Sequence, residues 1–204
     1  KYFGVLTKLF NVARFASQFE VPSNLNDAPE GLAVEDEWIL AEFQSTMATV
    51  EQAWTNLDIY TATQALKTFG TGILPSHYLE MVKSRLYDED KAAAWTLHRM
   101  VRDFMTMFTP VCPFFTHHIS STIYGASAVD VDAFPSQPCP SVASGTARGD
   151  ELRALSASIQ TFNGDTWGHK KEQGIPLNQP VSGVEIPKEL EPFTAILTRM
   201  HHLE

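Results

Sequence analysis

The sequence predicts a mainly α-helical protein, an antiparallel helical bundle followed by a small α+β subdomain. Three observations favour this fold class. Apolar residues recur at steps of three and four along most of the first 124 residues, which is the period of a helical face. Short stretches rich in Asn, Pro, Asp and Gly interrupt that pattern, as connectors do. With 204 residues, 44% of them hydrophobic, the chain can also bury one substantial core with a small appendage.

The first helix is predicted from Phe3, Leu6, Phe10 and Ala13, which are spaced three and four residues apart. The pattern ends near Pro22, where the composition becomes typical of an exposed connector. We therefore expect an amphipathic helix whose buried face includes these four side chains.

A second helix is predicted to begin near Val34. Three acidic residues at positions 35–37 suit the N-terminal end of a helix dipole. The apolar positions that follow are Ile39, Phe43, Met47, Val50, Trp54 and Leu57. Their regular spacing predicts one continuous helix with a single apolar seam.

The apolar pattern in the middle of the chain predicts further helices with an interruption between them. Gly70, Gly72 and Pro75 interrupt the apolar face around Leu66, so we expect a kink or a break before the face resumes over residues 78–86.

Two more helices are then predicted from local end signals. Asp90 can cap a helix whose apolar face reaches Phe108, and a Thr-Pro pair ends it. Pro113 then begins a shorter helix that runs to about Tyr124. Helices of these lengths, joined by short connectors, predict an antiparallel bundle.

The C-terminal part is predicted to be a separate unit. Residues 136–149 are rich in Pro, Ser, Ala and Gly, which predicts a connector between a bundle domain at 1–135 and a subdomain at 150–204. The subdomain is predicted to contain a helical face at 152–162, an alternating strand at 180–187 and a last helix at 192–200. It is too small for an independent core, so we expect it to pack on the bundle.

The charge of the chain limits the kind of partner that it can bind. The net charge is −9, and residues 1–140 carry 9 basic and 16 acidic side chains while residues 141–204 carry 6 and 8. Neither part is basic overall, although phosphate binding draws on clustered Lys and Arg. Any contact with RNA must therefore be local, built from a few cations and stacking aromatic rings.

Several function classes are excluded by missing patterns. No segment approaches the roughly 20 apolar residues of a membrane span, so we expect a cytoplasmic protein without a membrane partner. There is no Gly-rich phosphate loop, nucleophile elbow or metal-binding Cys pattern, so the sequence predicts no catalytic residue, no metal and no cofactor in this chain. Cys112 and Cys139 are expected to be thiols rather than a disulfide.

Four segments resemble one protein family. Residues 7–15, Thr-Lys-Leu-Phe-Asn-Val-Ala-Arg-Phe, are similar to a Lys-Leu-Trp-Asn-x-x-Arg-Phe pattern in which Phe10 replaces Trp. Residues 36–40 (Asp-Glu-Trp-Ile-Leu), 77–83 (His-Tyr-Leu-Glu-Met-Val-Lys) and 170–181 (Lys-Lys-Glu-Gln-Gly-Ile-Pro-Leu-Asn-Gln-Pro-Val) follow in the family's order. Together they resemble the anticodon-binding and C-terminal region of archaeal-type valyl-tRNA synthetases, which are class I aminoacyl-tRNA synthetases.

The resemblance implies a function and a set of contact residues. The parent enzyme would join valine to its tRNA with ATP and Mg²⁺ in a catalytic domain that this chain lacks. This region would hold the anticodon arm of tRNA, contact the catalytic domain of the same chain and act as a monomer. The implied anticodon residues are Arg14, Asn11 and Trp38; the implied contacts to the tRNA backbone are Lys8, Lys83, Arg85 and Lys170, with Tyr78 and Lys171 on the same segments.

The residues themselves leave alternatives open. Lys8, Asn11 and Arg14 could form an ordinary solvated helix face, and Trp38 could pack in the core. The net charge would also suit a helical protein-interaction module without RNA binding, and isoleucyl- or leucyl-tRNA synthetases share the helical domain. Isoleucyl membership would favour a cysteine-rich zinc tail, which this stretch does not contain.

Overall fold

The fold is described by a computed structural model over residues 3–126 and 134–204. Residues 1–2 and 127–133 of the predicted bundle domain (1–135) lie outside the described residues. The helices are α1 (Phe3–Ala16), α2 (Val34–Thr55), α3 (Ile59–Thr68), a π-helical segment (Phe69–Tyr78), α4 (Leu79–Tyr87), α5 (Lys91–Phe108), α6 (Pro113–Tyr124), α7 (Ala147–Ala154), α8 (Ser156–Glu172) and α9 (Thr194–His201), with 3₁₀ turns at Pro140–Val142 and Lys188–Phe193. The predicted mainly helical fold is therefore confirmed.

Helix α1 buries Ala13 as predicted, but its buried face otherwise differs from the predicted one. Leu9 and Ala13 are at most 2% exposed, whereas Phe10 is 41% exposed. The apolar residues of α1 cover more than one stripe, and the packing of α1 against α5 and the π-helical segment selects the stripe through Leu9. The prediction that Phe10 is buried is wrong, and its ring lies on the solvent side.

Helix α2 is the central element of the molecule. Its seam from Ile39 to Val50 is buried as predicted, and the helix contacts α3, α5 and α7. Leu57 is wrongly placed in that seam, because the helix ends at Thr55 and Leu57 is 83% exposed with a φ of +56°.

The expected break after α3 is instead a π-helical segment that continues into α4. Pro75 has no N–H to donate, and the wider turns accommodate it without ending the helix. Gly70 is required there by packing, since a Cβ atom would lie 2.6 Å from Cζ of Phe104 and 2.8 Å from Cδ2 of Leu9. The π-helical segment thus allows α1 and α5 to approach the same backbone closely.

The C-terminal elements pack on the bundle through α7 against α2 and α9 against α4. The strand predicted at 180–187 is not formed: among the described residues there is one isolated parallel bridge, between Val181 and Leu203. Pro180 and Pro187 cannot donate to a ladder, and no neighbouring strand is present in that part of the structure.

Buried polar side chains connect the bundle to the C-terminal helices. Asn163 of α8 lies between two histidines, with its Nδ2 3.2 Å from Nδ1 of His77 and its Oδ1 2.8 Å from Nε2 of His201. The ring of Trp167 stacks on His77 at a centroid distance of 5.8 Å. One cluster of buried apolar side chains also includes residues from both parts of the chain. The division at 136–149 stays a prediction.

Candidate nucleic-acid interface

The exposed face of α1 carries three of the predicted contact residues. Lys8, Asn11 and Arg14 are all exposed. The Nζ of Lys8 donates a hydrogen bond to the carbonyl oxygen of Thr71, 3.3 Å away in the π-helical segment. Within the described parts of the chain, the guanidinium of Arg14 has no hydrogen-bond or ion-pair partner. This side chain is free to bind an anion or a base edge.

The surroundings of α1 are locally basic despite the net charge. Residues 3–19 contain two basic and no acidic side chains; of the elements that pack against them, the π-helical segment contains no Lys, Arg, Asp or Glu, and α5 contains three basic and one acidic side chain. The acidic excess of the chain lies elsewhere in the sequence. This distribution satisfies the requirement that any RNA contact be local.

Aromatic rings that the sequence analysis did not select lie on or beside this face. Phe10 is 41% exposed and precedes Arg14 by one helical turn. Tyr87 is 64% exposed, and its ring meets those of Phe15 and Phe19 edge-on at centroid distances of 6.3 and 5.7 Å. Phe10 was missed because its spacing fits an apolar stripe; its place in the Lys-Leu-Trp-Asn pattern was the available signal.

Trp38 cannot stack on a base in this structure. Its side chain is 0% exposed, and its Nε1 donates a 2.8 Å hydrogen bond to Oγ of Ser156, which in turn donates to Glu42. Its ring also packs edge-on against Phe193. The predicted anticodon contact is therefore corrected: Trp38 joins α2 to α8.

Tyr78 and Arg85 belong to a second buried polar cluster. Tyr78 is 0% exposed and donates from its hydroxyl to Oδ1 of Asp36 at 2.7 Å. The Arg85 guanidinium is paired with Glu35 at 2.8 Å, Asp36 at 2.7 Å and Asp90 at 2.9 Å. Burial and the charge of Asp36 hold the pKa of the Tyr78 hydroxyl well above its usual value.

The hydrogen bonds and ion pairs of this cluster occupy Tyr78 and Arg85, which were predicted to contact tRNA. The Arg85 side chain is 11% exposed, and its three nitrogens are each bonded to a carboxylate. The cluster fixes the start of α2 to the end of α4. Both predicted contacts are corrected to framework residues.

Lys83 remains accessible on α4. Its Nζ lies 2.5 Å from Oε1 of Glu80, and the two side chains are 44% and 40% exposed. A surface pair of this kind contributes at most about 1 kcal/mol and exchanges readily for another anion. Lys83 therefore stays a candidate for phosphate contact.

The adjacent lysines on α8 have opposite environments. Lys170 is 0% exposed, and its Nζ donates to the carbonyl oxygens of Leu177 at 2.9 Å and Gln179 at 2.7 Å. Lys171 is exposed. The predicted phosphate contact of Lys170 is thus corrected to a bond that holds the turn after α8, and Lys171 stays a candidate.

Two further findings concern other kinds of site. No helix within residues 3–126 and 134–204 is long and apolar enough to cross a membrane. Over the same residues, no group of three or more His, Cys, Asp or Glu side chains is placed to hold a metal ion.

The described residues form a helical bundle with an exposed, locally basic face on α1. A sequence model described as the anticodon-binding domain of tRNA ligase matches residues 36–186. Since this match covers most of the chain, the chain belongs to that family.

Individual relatives extend the match. The chain is 35% identical over 121 residues, 59% of its length, to a valine–tRNA ligase of Saccharolobus solfataricus, and 33% identical over 189 residues, 90% of its length, to that of Methanothrix thermoacetophila. It is 30% identical over 206 residues to the valine–tRNA ligase of Aeropyrum pernix, a match that covers 96% of the chain and therefore reaches α1. The chain spans 14%, 20% and 24% of the length of these three relatives.

Proposed function

We propose that this chain holds the anticodon arm of tRNA for a longer valine–tRNA ligase, and that the exposed face of α1 makes the central contact. The observation that carries the proposal is the environment of Arg14. Its guanidinium is exposed and unpaired within the described residues, and α1 contains no acidic residue. A guanidinium can bind phosphate through two parallel hydrogen bonds or stack on an unstacked base.

Each accessible residue has a distinct part in this proposal. Arg14 and Asn11 contact unstacked bases of the anticodon loop, because Asn offers both a donor and an acceptor to a base edge. Lys8, Lys83 and Lys171 contact phosphates and so provide affinity without sequence preference.

The four buried side chains act indirectly. Trp38, Tyr78, Arg85 and Lys170 hold the helices that carry the accessible residues, and they touch no RNA. They are positioning residues for the fold of the interface.

The proposed parent enzyme supplies the remaining activity. The names of the relatives support a ligase that joins valine to tRNA, a cytoplasmic reaction for which ATP and Mg²⁺ would bind in a catalytic domain. The partners of this chain would then be the anticodon arm and that catalytic domain, and the protein would act as a monomer. The family match favours this role over the protein-interaction module that the net charge alone would allow.

The test is the binding of tRNA to the 204-residue chain. Affinity is measured for a tRNA-Val transcript and for the same transcript with an altered anticodon, at several salt concentrations. We expect tighter binding to the unaltered transcript and an affinity that falls as salt rises. Arg14→Ala should reduce both the preference and the salt slope, the latter by about 1.

Arg199→Ala is the matched control, because it also removes one exposed guanidinium but does so from α9. It should leave the anticodon preference unchanged. Absence of binding at low salt, or an Arg14→Ala variant that binds both transcripts as the unaltered chain does, would contradict the proposal.

A further inference from the structure

A groove of about 370 Å³ lies between α2, α3 and the start of the π-helical segment. Thr46 and Thr49 line it from α2, while Gln64 and Thr68 line it from α3. Tyr60 stands at its edge with 74% of the residue exposed. None of the predicted contact residues belongs to this groove.

The lining has the chemistry of a site for a neutral, planar, polar group. None of the residues that line the groove carries a charge. The hydroxyl groups of Thr46 and Thr49 donate to carbonyl oxygens of their own helix, each at 3.0 Å, so their lone pairs remain as acceptors. The amide of Gln64 has no partner within the described residues and offers two donors and one acceptor.

This combination fits a nucleobase better than a phosphate. A base edge needs alternating donors and acceptors, which an amide and threonine hydroxyls supply, whereas a phosphate needs cations inside the site. The ring of Tyr60 provides a face on which a base can stack, and Phe69 and Ile73 provide apolar contact on the inner wall.

Cations lie outside the groove on two sides, where the phosphates of an inserted nucleotide would pass. On one side, Lys8 reaches the π-helical segment at Thr71, between the lining residues Phe69 and Ile73. On the other, Nη1 of Arg153 donates a 2.9 Å hydrogen bond to Oγ of Ser45, which also lines the groove, while Nη2 of Arg153 is paired with the half-exposed carboxylate of Asp150 at 2.5 Å.

We propose that the groove between α2 and α3 binds one unstacked nucleobase of the RNA that contacts α1, with Tyr60 stacking on the base and Gln64 bonding to its edge. This inference rests on the proposed function, because it takes the RNA to be the tRNA already bound at α1. It adds a second contact on the far side of the π-helical segment.

The test uses tRNA-Val transcripts in which 2-aminopurine, a fluorescent base, replaces each anticodon-loop position in turn. Binding of the unaltered 204-residue chain should quench the fluorescence at one position through stacking. Tyr60→Ala should remove that quenching and weaken binding by about 5- to 150-fold, the usual range for loss of one stacked base. Tyr60→Phe should retain the quenching, and Gln64→Ala should weaken binding without removing it.

Phe114→Ala is the control, since it removes a ring that is 91% exposed on α6. It should change neither the fluorescence quenching nor the affinity for tRNA. Unchanged affinity and fluorescence in Tyr60→Ala, while Arg14→Ala still weakens binding, would overturn the groove inference and leave the proposed function intact. A chain that binds no tRNA at low salt would overturn both. Circular dichroism of each variant confirms that these surface changes leave the fold in place.

Discussion

The cations Lys8 and Arg14 of α1 differ from Arg85 of α4 and Lys170 of α8 in what surrounds them. Arg14 and Lys8 lie on a helix that contains no acidic residue, and both are exposed. Arg85 is enclosed by three carboxylates, and Lys170 is enclosed by two carbonyl oxygens. All four lie in segments that resemble one family, yet only the first two can meet RNA. The resemblance alone does not distinguish the two kinds of cation, because the difference lies in which acceptors the fold places around each one.

The largest effect is expected for Arg85→Ala. This change leaves the Asp36 carboxylate, which is 0% exposed, without its ion-pair partner in the core. Breaking a buried pair in this way costs about 3–5 kcal/mol. Urea unfolding should show a loss of that size in the free energy of unfolding.

Lys83→Ala is the control on the same helix. Its pair with Glu80 is exposed, so the expected loss is below about 1 kcal/mol. Suppose instead that the two variants had the same free energy of unfolding and that Arg85→Ala weakened tRNA binding. Arg85 would then be a contact residue like those of α1, and the contrast between them would be wrong.

Acid should destabilise the protein through its buried histidines. Burial, together with the charge of Lys170, lowers the pKa of His201 to about 4. Burial also lowers the pKa values of His77 and His98. These three histidines therefore bind more protons in the unfolded chain than in the folded chain below about pH 6.5.

The histidine contribution to the free energy of unfolding should consequently fall as the pH drops from about 6.5 to about 4, by as much as about 3 kcal/mol from His201 alone. His201→Gln keeps a donor toward Asn163 and removes the titration, so its stability should depend less on pH. Unfolding curves at pH 7.5, 6 and 4.5 measure this. Equal pH dependence in the two proteins would show that His201 does not titrate as its burial requires.

A smaller effect is expected for Lys170→Met. The change leaves the carbonyl oxygens of Leu177 and Gln179 without their donor, which costs about 1–3 kcal/mol. Lys171→Ala should leave stability within about 0.5 kcal/mol, because Lys171 is exposed. In tRNA binding the order should reverse, with Lys171→Ala reducing the salt slope and Lys170→Met leaving it unchanged.

The sequence predicted the features that depend on local chemistry. Asp90 accepts hydrogen bonds from the backbone N–H groups of Ala92 and Ala93, as a helix cap does, and α6 begins at Pro113 as expected. Each of these residues acts on backbone groups no more than three positions away, so it can be recognised without knowledge of the rest of the fold.

The site could be predicted only in part, because accessibility depends on distant neighbours. Trp38 donates a hydrogen bond to Ser156, which is 118 positions away in the sequence. Arg85 is paired with carboxylates 49 and 50 positions away. A motif places such a residue on a helix but does not reveal which other helix covers it. Arg14 was predicted correctly as an exposed residue because the polar face of an amphipathic helix can be recognised in the sequence itself.

The smallest expected effect distinguishes a Trp38 that is buried in the framework from a Trp38 that stacks on a base. Trp38→Phe keeps an aromatic ring and removes the Nε1 donor to Ser156, so the free energy of unfolding should fall by about 0.5–1.5 kcal/mol. A tryptophan that stacked on a base would also lose tRNA affinity, since the larger ring provides more of the stacking contact. We expect tRNA affinity to stay within twofold of the unaltered chain when both are measured well below their unfolding temperatures. A larger loss of affinity without loss of stability would return Trp38 to the interface and place the boundary between binding and framework residues inside α2.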